Sequence, residues 1–244
     1  MWLDGATFTG VSFIGDAKFE HATFNGDASF HSVSFRKGAK FDHATFNGDA
    51  SFHGVSFWEE AKFDHATFNG DASFNDAPFI YAAHFDKAKF NSDAYFTNAS
   101  FRWDTSFNDA SFIETTLFDK ANFNSDVYFT NASFSGDTSF NDASFIKTTH
   151  FDKAKFNAPS FQNSKFNEIY FTDISFSGDA NFGDATFDGL GPRGVGGLEL
   201  GPDEFAQHHQ QDDEGDEGDD DLAPRQPDGI GRLRRNVDHD VPRL

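Results

Sequence analysis

The chain has 244 residues, with no cysteine, one methionine, 35 phenylalanines and a formal net charge of −21. The missing cysteine excludes a disulfide scaffold and a thiolate zinc site, and no apolar run approaches the roughly 18 residues of a membrane helix. The acidity disfavours direct binding to nucleic-acid phosphates or to an anionic bilayer, and the opening Met1-Trp2-Leu3-Asp4-Gly5 lacks the basic and apolar regions of a secretory signal, so a cytoplasmic location is expected.

From the start of the chain a ladder of large apolar side chains sets the pattern. Leu3 stands five residues before Phe8, and Phe13 and Phe19 follow. The ladder continues as Phe24, Phe30, Phe35, Phe41, Phe46, Phe52, Phe57, Phe63, Phe68 and Phe74, in steps that alternate between five and six residues. The alternation runs unbroken to Phe156; the steps are then five to Phe161, Phe166, Phe171 and Phe176, six to Phe182 and five to Phe187. The second residue before each Phe is small or β-branched, most often Ala, with Pro159 and Ser164 as exceptions, and the residue between is usually Ser, Thr or Lys. Small-in, polar-out, large-in over three residues is the period-two signature of a short strand. The residues between are Asn, Gly, Asp, His and Ser, which favour turns. An amphipathic helix fails, because apolar positions every five or six residues never form one stripe on a 3.6-residue repeat.

A strand this short buries almost nothing alone. Stacked into coils, each ring is covered by the ring of the next coil, and backbone groups pair between coils. At about 1.5–3 kcal/mol per buried Phe, the ladder supplies the large favourable term of folding. Two kinds of internal copy set the coil size. Asp42–Phe63 nearly repeats Glu20–Phe41 at a shift of 22 residues, and Phe85-Asp86-Lys87-Ala88 recurs from Phe118 and Phe151 at a shift of 33. Both shifts preserve an 11-residue half-coil, so about 22 residues and four sides per coil are expected, with opposite halves nearly equivalent. A two-sided 11-residue coil would crowd two Phe and two Ala into too thin a core.

With its small residue two places before a central Phe, the chain resembles the pentapeptide-repeat family. The resemblance implies an all-β, right-handed, quadrilateral β-helix with one repeat unit per side, over residues 1–187. Family units often carry Asp or Asn just before the central residue, where this chain has Ser, Thr, Lys or Tyr. The regular sixth residue, as in Asn25-Gly26-Asp27-Ala28-Ser29-Phe30, predicts a wider corner on alternate sides. Four ladder positions per coil give between eight and nine coils, or roughly 40 Å of rod at ~4.8 Å per coil. No capping element precedes Leu3, so pairing with a second copy through a solenoid end, giving a homodimer, is an expectation. Residues 188–244, rich in Gly and Asp, are expected to be a disordered tail.

Residues 22 apart become vertical neighbours. His21, His43 and His65 form one column beside Glu20, Asp42 and Asp64; His31 and His53 form another; Asp27, Asp49, Asp71 and Asp93 form a carboxylate column. Imidazole beside carboxylate suits a divalent ion, but copying alone produces such columns, so neither a metal nor any other cofactor is expected. Corner hydrogen bonds are the expected support for the Asp column. No nucleophile elbow, phosphate loop or His-Glu-x-x-His motif is present, and repeated residues do not make a single active site, so no catalytic residue is assigned. The unrepeated Trp58, Glu59, Tyr81, Trp103, Glu168 and Tyr170 are the candidates for anchoring a partner.

The leading expectation is a non-enzymatic structural or protein-interaction rod of unknown partner. The resemblance implies an alternative: the best-understood family members are acidic DNA mimics that occupy the DNA-binding saddle of type II topoisomerases such as DNA gyrase. Residues 1–187 hold 25 acids and 13 bases, which is compatible with that role, but the ladder has neither projecting loops nor the C-terminal dimerisation elements of the gyrase-binding members. An ice-binding surface would need an unbroken Thr array, and Thr23, Thr45 and Thr67 are the only part of one.

Overall fold

The computed structural model describes residues 2–188. Within them every regular element is a strand, most of them two residues long, and each pairs in parallel with the strand one coil away. Side 1 contains Thr23–Phe24, Thr45–Phe46 and Thr67–Phe68; side 2, Ala28–Ser29 and Ala50–Ser51; side 3, Ser34–Phe35 and Ser56–Phe57; side 4, Ala39–Lys40 and Ala61–Lys62. Phe24 pairs with Phe46, and Phe46 with Phe68, a register of 22 residues. The chain is therefore a four-sided β-solenoid of about eight turns. The two-sided coil is excluded, because residues 11 apart lie on opposite sides. After Phe156 the coil tightens: Phe156 pairs with Phe176 and Phe145 with Phe166, as the lost sixth residues require.

Every ladder residue from Phe24 to Phe74 is fully buried, and the ladder forms one continuous core with the alanines two places before each ring. Rings on one side stack nearly parallel; Phe41 lies 4.9 Å from Phe63 at an interplanar angle of 0°, and Phe63 lies 4.9 Å from Phe85. Rings of sides 2 and 4 meet edge to face across the core, as Phe52 and Phe63 do at 5.2 Å and 87°. The core thus combines both favoured aromatic arrangements. Where Thr replaces the inward Ala, as at Thr105 and Thr116, the hydroxyl donates to the carbonyl two residues earlier, and Ser164 donates to the Phe140 carbonyl at 2.8 Å.

The alternation of five and six has a backbone cause. After sides 2 and 4 the corner is a tight turn: the Ala44 N–H donates to the Phe41 carbonyl at 3.0 Å, and His43 between them has φ 57°. The same left-handed position recurs at Ser32, His65, Asp76, Lys87 and Lys120. After sides 1 and 3 the sixth residue opens the corner, and in the corner after side 1 successive coils lie close together at Gly48, Gly70 and Gly136. A Cβ on Gly70 would lie 2.6 Å from the Gly48 carbonyl carbon. No helix among the described residues is long and apolar enough to cross a membrane. The tail expected over 188–244 lies outside the described residues except for Asp188.

Candidate functional site

A solenoid turns sequence position modulo 22 into position around the rod, so the columns at its corners decide what it offers a partner. The corner between sides 1 and 2 carries an amide ladder, with Asn47 donating to Asn25 at 3.2 Å, Asn69 to Asn47 at 2.9 Å and Asn91 to Asn69 at 2.8 Å. Beside it runs the carboxylate column. Each Asp accepts the backbone N–H of the residue one coil on: Asp27 from Asp49 and Asp49 from Asp71, both at 3.0 Å, and Asp71 from Asp93 at 3.3 Å. Corner hydrogen bonds therefore support the stacked carboxylates, as expected. All three bonds use Oδ1, and the second oxygen of Asp93 accepts from the Tyr95 hydroxyl.

The distribution of charge around the rod is the main departure from the sequence reading. Along the chain the acids of residues 1–187 are evenly spread; around the rod they are not. The corner between sides 1 and 2 holds Asp4, Asp27, Asp49, Asp71, Asp93, Glu114, Asp137 and Asp179, and the corner between sides 2 and 3 adds Asp76, Asp119, Asp142 and Asp184. Lys120 is the single lysine or arginine of this flank among the described residues. The flank around side 2 thus carries nearly all the excess of acids over bases in residues 1–187. Assigning each charged residue to a column from the 22-residue period would have exposed this; reading charge along the chain concealed it.

The diagonally opposite corner, between sides 3 and 4, is built differently. It presents Ile14, Trp58, Tyr81, Trp103 and Ile146, all exposed, and interleaves Arg36, Lys37, Arg102 and Lys147 with Asp16, Glu59, Glu60, Asp104, Asp126 and Glu168. The Arg36 guanidinium lies 4.8 Å from the centre of the Trp58 ring, and Tyr81 lies 5.2 Å from Trp103. Of the unrepeated residues singled out from sequence, Trp58, Glu59, Tyr81 and Trp103 come together on this corner. Glu168 lies on the same corner nearer the last coil, opposite Thr148, and accepts from the hydroxyl of Tyr170 on side 4 at 2.9 Å.

The histidine columns form as ring stacks, with His21 4.9 Å from His43, His43 4.6 Å from His65, and His31 5.0 Å from His53. Among the described residues no three metal-ligating side chains converge on one point. The Phe24–Phe74 ladder is packing rather than a binding site, since none of its rings reaches the surface. Four ionisable groups are perturbed. The Lys37 ammonium is raised by its bond to Glu59, and the Tyr128 phenol by burial beside Asp126 and Asp104. Asp64 is held above the usual carboxylate range, chiefly by burial, with the charges of Asp86 and Asp42 adding to it and the Asp86 N–H opposing it. Tyr95 donates to Asp93 at 2.7 Å, and that bond, with burial, pushes the phenol up to about 12.

A family model described as pentapeptide repeats, in nine copies, matches the repeat pattern over residues 30–78, 118–161 and 140–186. No curated protein matches the chain. Among solved structures, a trypsin-treated single-substitution variant of QnrB1, a plasmid-mediated fluoroquinolone resistance protein, is similar at 16% identity over 77% of this chain and 91% of that one, with a TM-score of 0.25. Full-length QnrB1 is similar at 13% identity over 77% and 93%, with a TM-score of 0.20. The repeat spacing, the four-sided coil and the family match together place this chain in the pentapeptide-repeat family.

Proposed function

We propose that this protein is a non-catalytic binding rod that presents the acidic flank around side 2 to a basic protein partner. The observation that carries this reading is the segregation of charge: twelve carboxylates and one lysine share that flank, on a rigid, fully packed scaffold. A rigid charged surface pays little ordering cost on binding and steers a basic partner toward it. The test compares wild type with a variant in which Asp49, Asp71, Asp93 and Asp137 are changed to Asn. At Asp49, Asp71 and Asp93 the amide keeps an oxygen for the corner N–H while the charge is lost. A native-lysate partner retained by wild type, released by salt and absent from the variant supports the reading. Equal capture by both proteins overturns it.

A finer reading is favoured by one further quantity. The excess charge of the flank, spread over roughly 40 Å of rod, amounts to about one per 3.5 Å, close to the ~3.4 Å per phosphate of one DNA strand. We infer on that basis that the partner surface is one that otherwise binds DNA, with a type II topoisomerase such as DNA gyrase as the specific candidate. A supercoiling assay with purified gyrase separates the two levels. Inhibition at micromolar protein that weakens in the Asn variant supports mimicry; unaffected supercoiling removes gyrase while leaving the broader reading to the capture experiment.

A further inference from the structure

Five of the eight exposed large hydrophobic side chains among the described residues stand in one column, on the corner between sides 3 and 4. Side 3 pairs coil to coil from Phe13 to Phe145, which fixes their order along the rod. Counted from the coil of Tyr81, Trp58 lies one coil before and Trp103 one after; Ile14 lies three before and Ile146 three after. The coils between are charged, with opposite sign: Arg36 and Lys37 lie two coils before Tyr81, and Asp126 two after. Asp16 beside Ile14 and Lys147 beside Ile146 repeat the inversion, and Asp104 is the charge that breaks it. The corner thus reads the same from either end in its apolar residues and with reversed sign in most of its charges.

Such a surface is complementary to itself. A two-fold axis through Tyr81, perpendicular to the rod, lays the corner antiparallel on the same corner of a second copy. Ile14 then faces Ile146, the coil of Trp58 faces that of Trp103, and Tyr81 faces Tyr81 of the second copy. A parallel pairing sets Arg36-Lys37 and Glu59-Glu60 against themselves and is disfavoured. Net charge does not drive the contact, since acids outnumber bases along this corner; the apolar row and the order of the charges do. The column from Asp27 to Asp93 occupies the diagonally opposite corner, so it faces away from the second copy on both rods. The rings are already held, Trp58 by Arg36 at 4.8 Å and Tyr81 by Trp103 at 5.2 Å, so little side-chain freedom is lost on contact. From Ile14 to Ile146 the row runs about 29 Å at ~4.8 Å per coil. The roughly 600 Å² per copy that a small specific interface needs is a strip about 20 Å wide over that length, met by the corner with the outward rows of sides 3 and 4.

We propose that two copies of this chain associate side by side and antiparallel through the corner between sides 3 and 4, with Tyr81 on the two-fold axis. The contact is lateral, distinct from an end-to-end pairing of solenoids. It does not rest on the acidic-flank reading, and it leaves one acidic flank open on each outer face of the pair.

The chain has no cysteine, so a single introduced thiol reports its own surroundings. Ile14, Tyr81 and Ile146 are exposed, and replacing them leaves the core intact. Under dissolved oxygen, which takes up the two electrons and two protons of disulfide formation, full-length Tyr81→Cys is expected to form a covalent dimer. Ile14→Cys and Ile146→Cys are each expected to stay uncrosslinked alone, because their identical thiols lie about 29 Å apart in the dimer, against a Cα limit of ~7 Å. Mixed together they should cross-link each other. Ile113→Cys, exposed on the acidic flank, gives the rate of collisional oxidation. Sedimentation equilibrium should show a dimer of the wild type, with a dissociation constant raised about tenfold or more by Trp58→Ser/Trp103→Ser. A wild type still monomeric at about 0.1 mM overturns the proposal, as does a dimer that the two Trp substitutions leave unchanged. Self-cross-linking of Ile14→Cys means parallel copies, and equal rates for Tyr81→Cys and Ile113→Cys mean no preferred contact at Tyr81; either result overturns it too.

Discussion

Asp64 accepts the backbone N–H of Asp86, one coil on, through Oδ1 at 2.9 Å. One coil later Asp86 accepts from Asn108 in the same way, and Asn108 accepts from Thr130 at 3.1 Å. The column therefore works with an amide as well as with a carboxylate. Asp64 gains no second benefit from its charge, because burial and the neighbouring Asp42 and Asp86 disfavour ionisation. Asp64→Asn is expected to stabilise the fold at neutral pH, by under about 1 kcal/mol since water screens a half-exposed carboxylate. A raised carboxyl pKa in the folded state means that protonation favours folding, so the gain fades as pH falls through that pKa toward the ordinary range. Denaturant midpoints of the two proteins at pH 7 and pH 4 check this; a gain that persists undiminished at pH 4 contradicts it.

The Tyr95 phenol gives a second pH-dependent readout. Its bond to Asp93 keeps the proton in place up to about 12, against the ordinary value of 10.0. Between those values the unfolded chain releases a proton that the folded chain retains, so stability is lost as pH rises. Asp93→Asn removes the largest cause while keeping an oxygen for the Thr115 N–H, which Asp93 accepts at 3.0 Å. Absorbance at 295 nm should show one of the four phenols ionising at lower pH in the variant. An identical titration would mean that burial alone holds the proton.

Core substitutions should grade with position along the rod. Phe63 is sandwiched between Phe41 and Phe85, each 4.9 Å away, and Phe63→Ala should cost about 3–5 kcal/mol. Phe8 is only partly buried in the first coil and stacks on one neighbour of its own side, Phe30 at 4.9 Å. Phe8→Ala should cost less than half as much, measured by urea unfolding of both variants.

The tight corners hold strain that a glycine can release. Ser32 sits at φ 56°, a conformation that costs a residue with a side chain about 1–2 kcal/mol. One coil on, the equivalent place is Gly54, at φ 63°. Ser32→Gly should stabilise the protein by up to about 1 kcal/mol, the relief being partly offset by glycine's freedom in the unfolded chain. Ser32→Val should destabilise it. Thermal midpoints that move together in one direction would contradict the strain account.

The repeat made most of this architecture legible before any coordinates. Phe at alternating five and six residues, with Ala two places earlier, can bury both residues only on short strands, and copies shifted by 22 and 33 residues require a four-sided coil with near-equivalent halves. What a reading of the sequence along the chain left unseen is how the non-repeating residues group around the rod. Arg36 and Trp58 are 22 residues apart and meet at 4.8 Å; Asp4 and Asp179 are 175 apart and share a flank. Such proximity follows from the pitch of the coil, which is set by backbone pairing between coils and by ring stacking. The interior was therefore readable from local pattern, whereas the acidic flank and the aromatic corner exist only once tertiary stacking has brought distant coils into line.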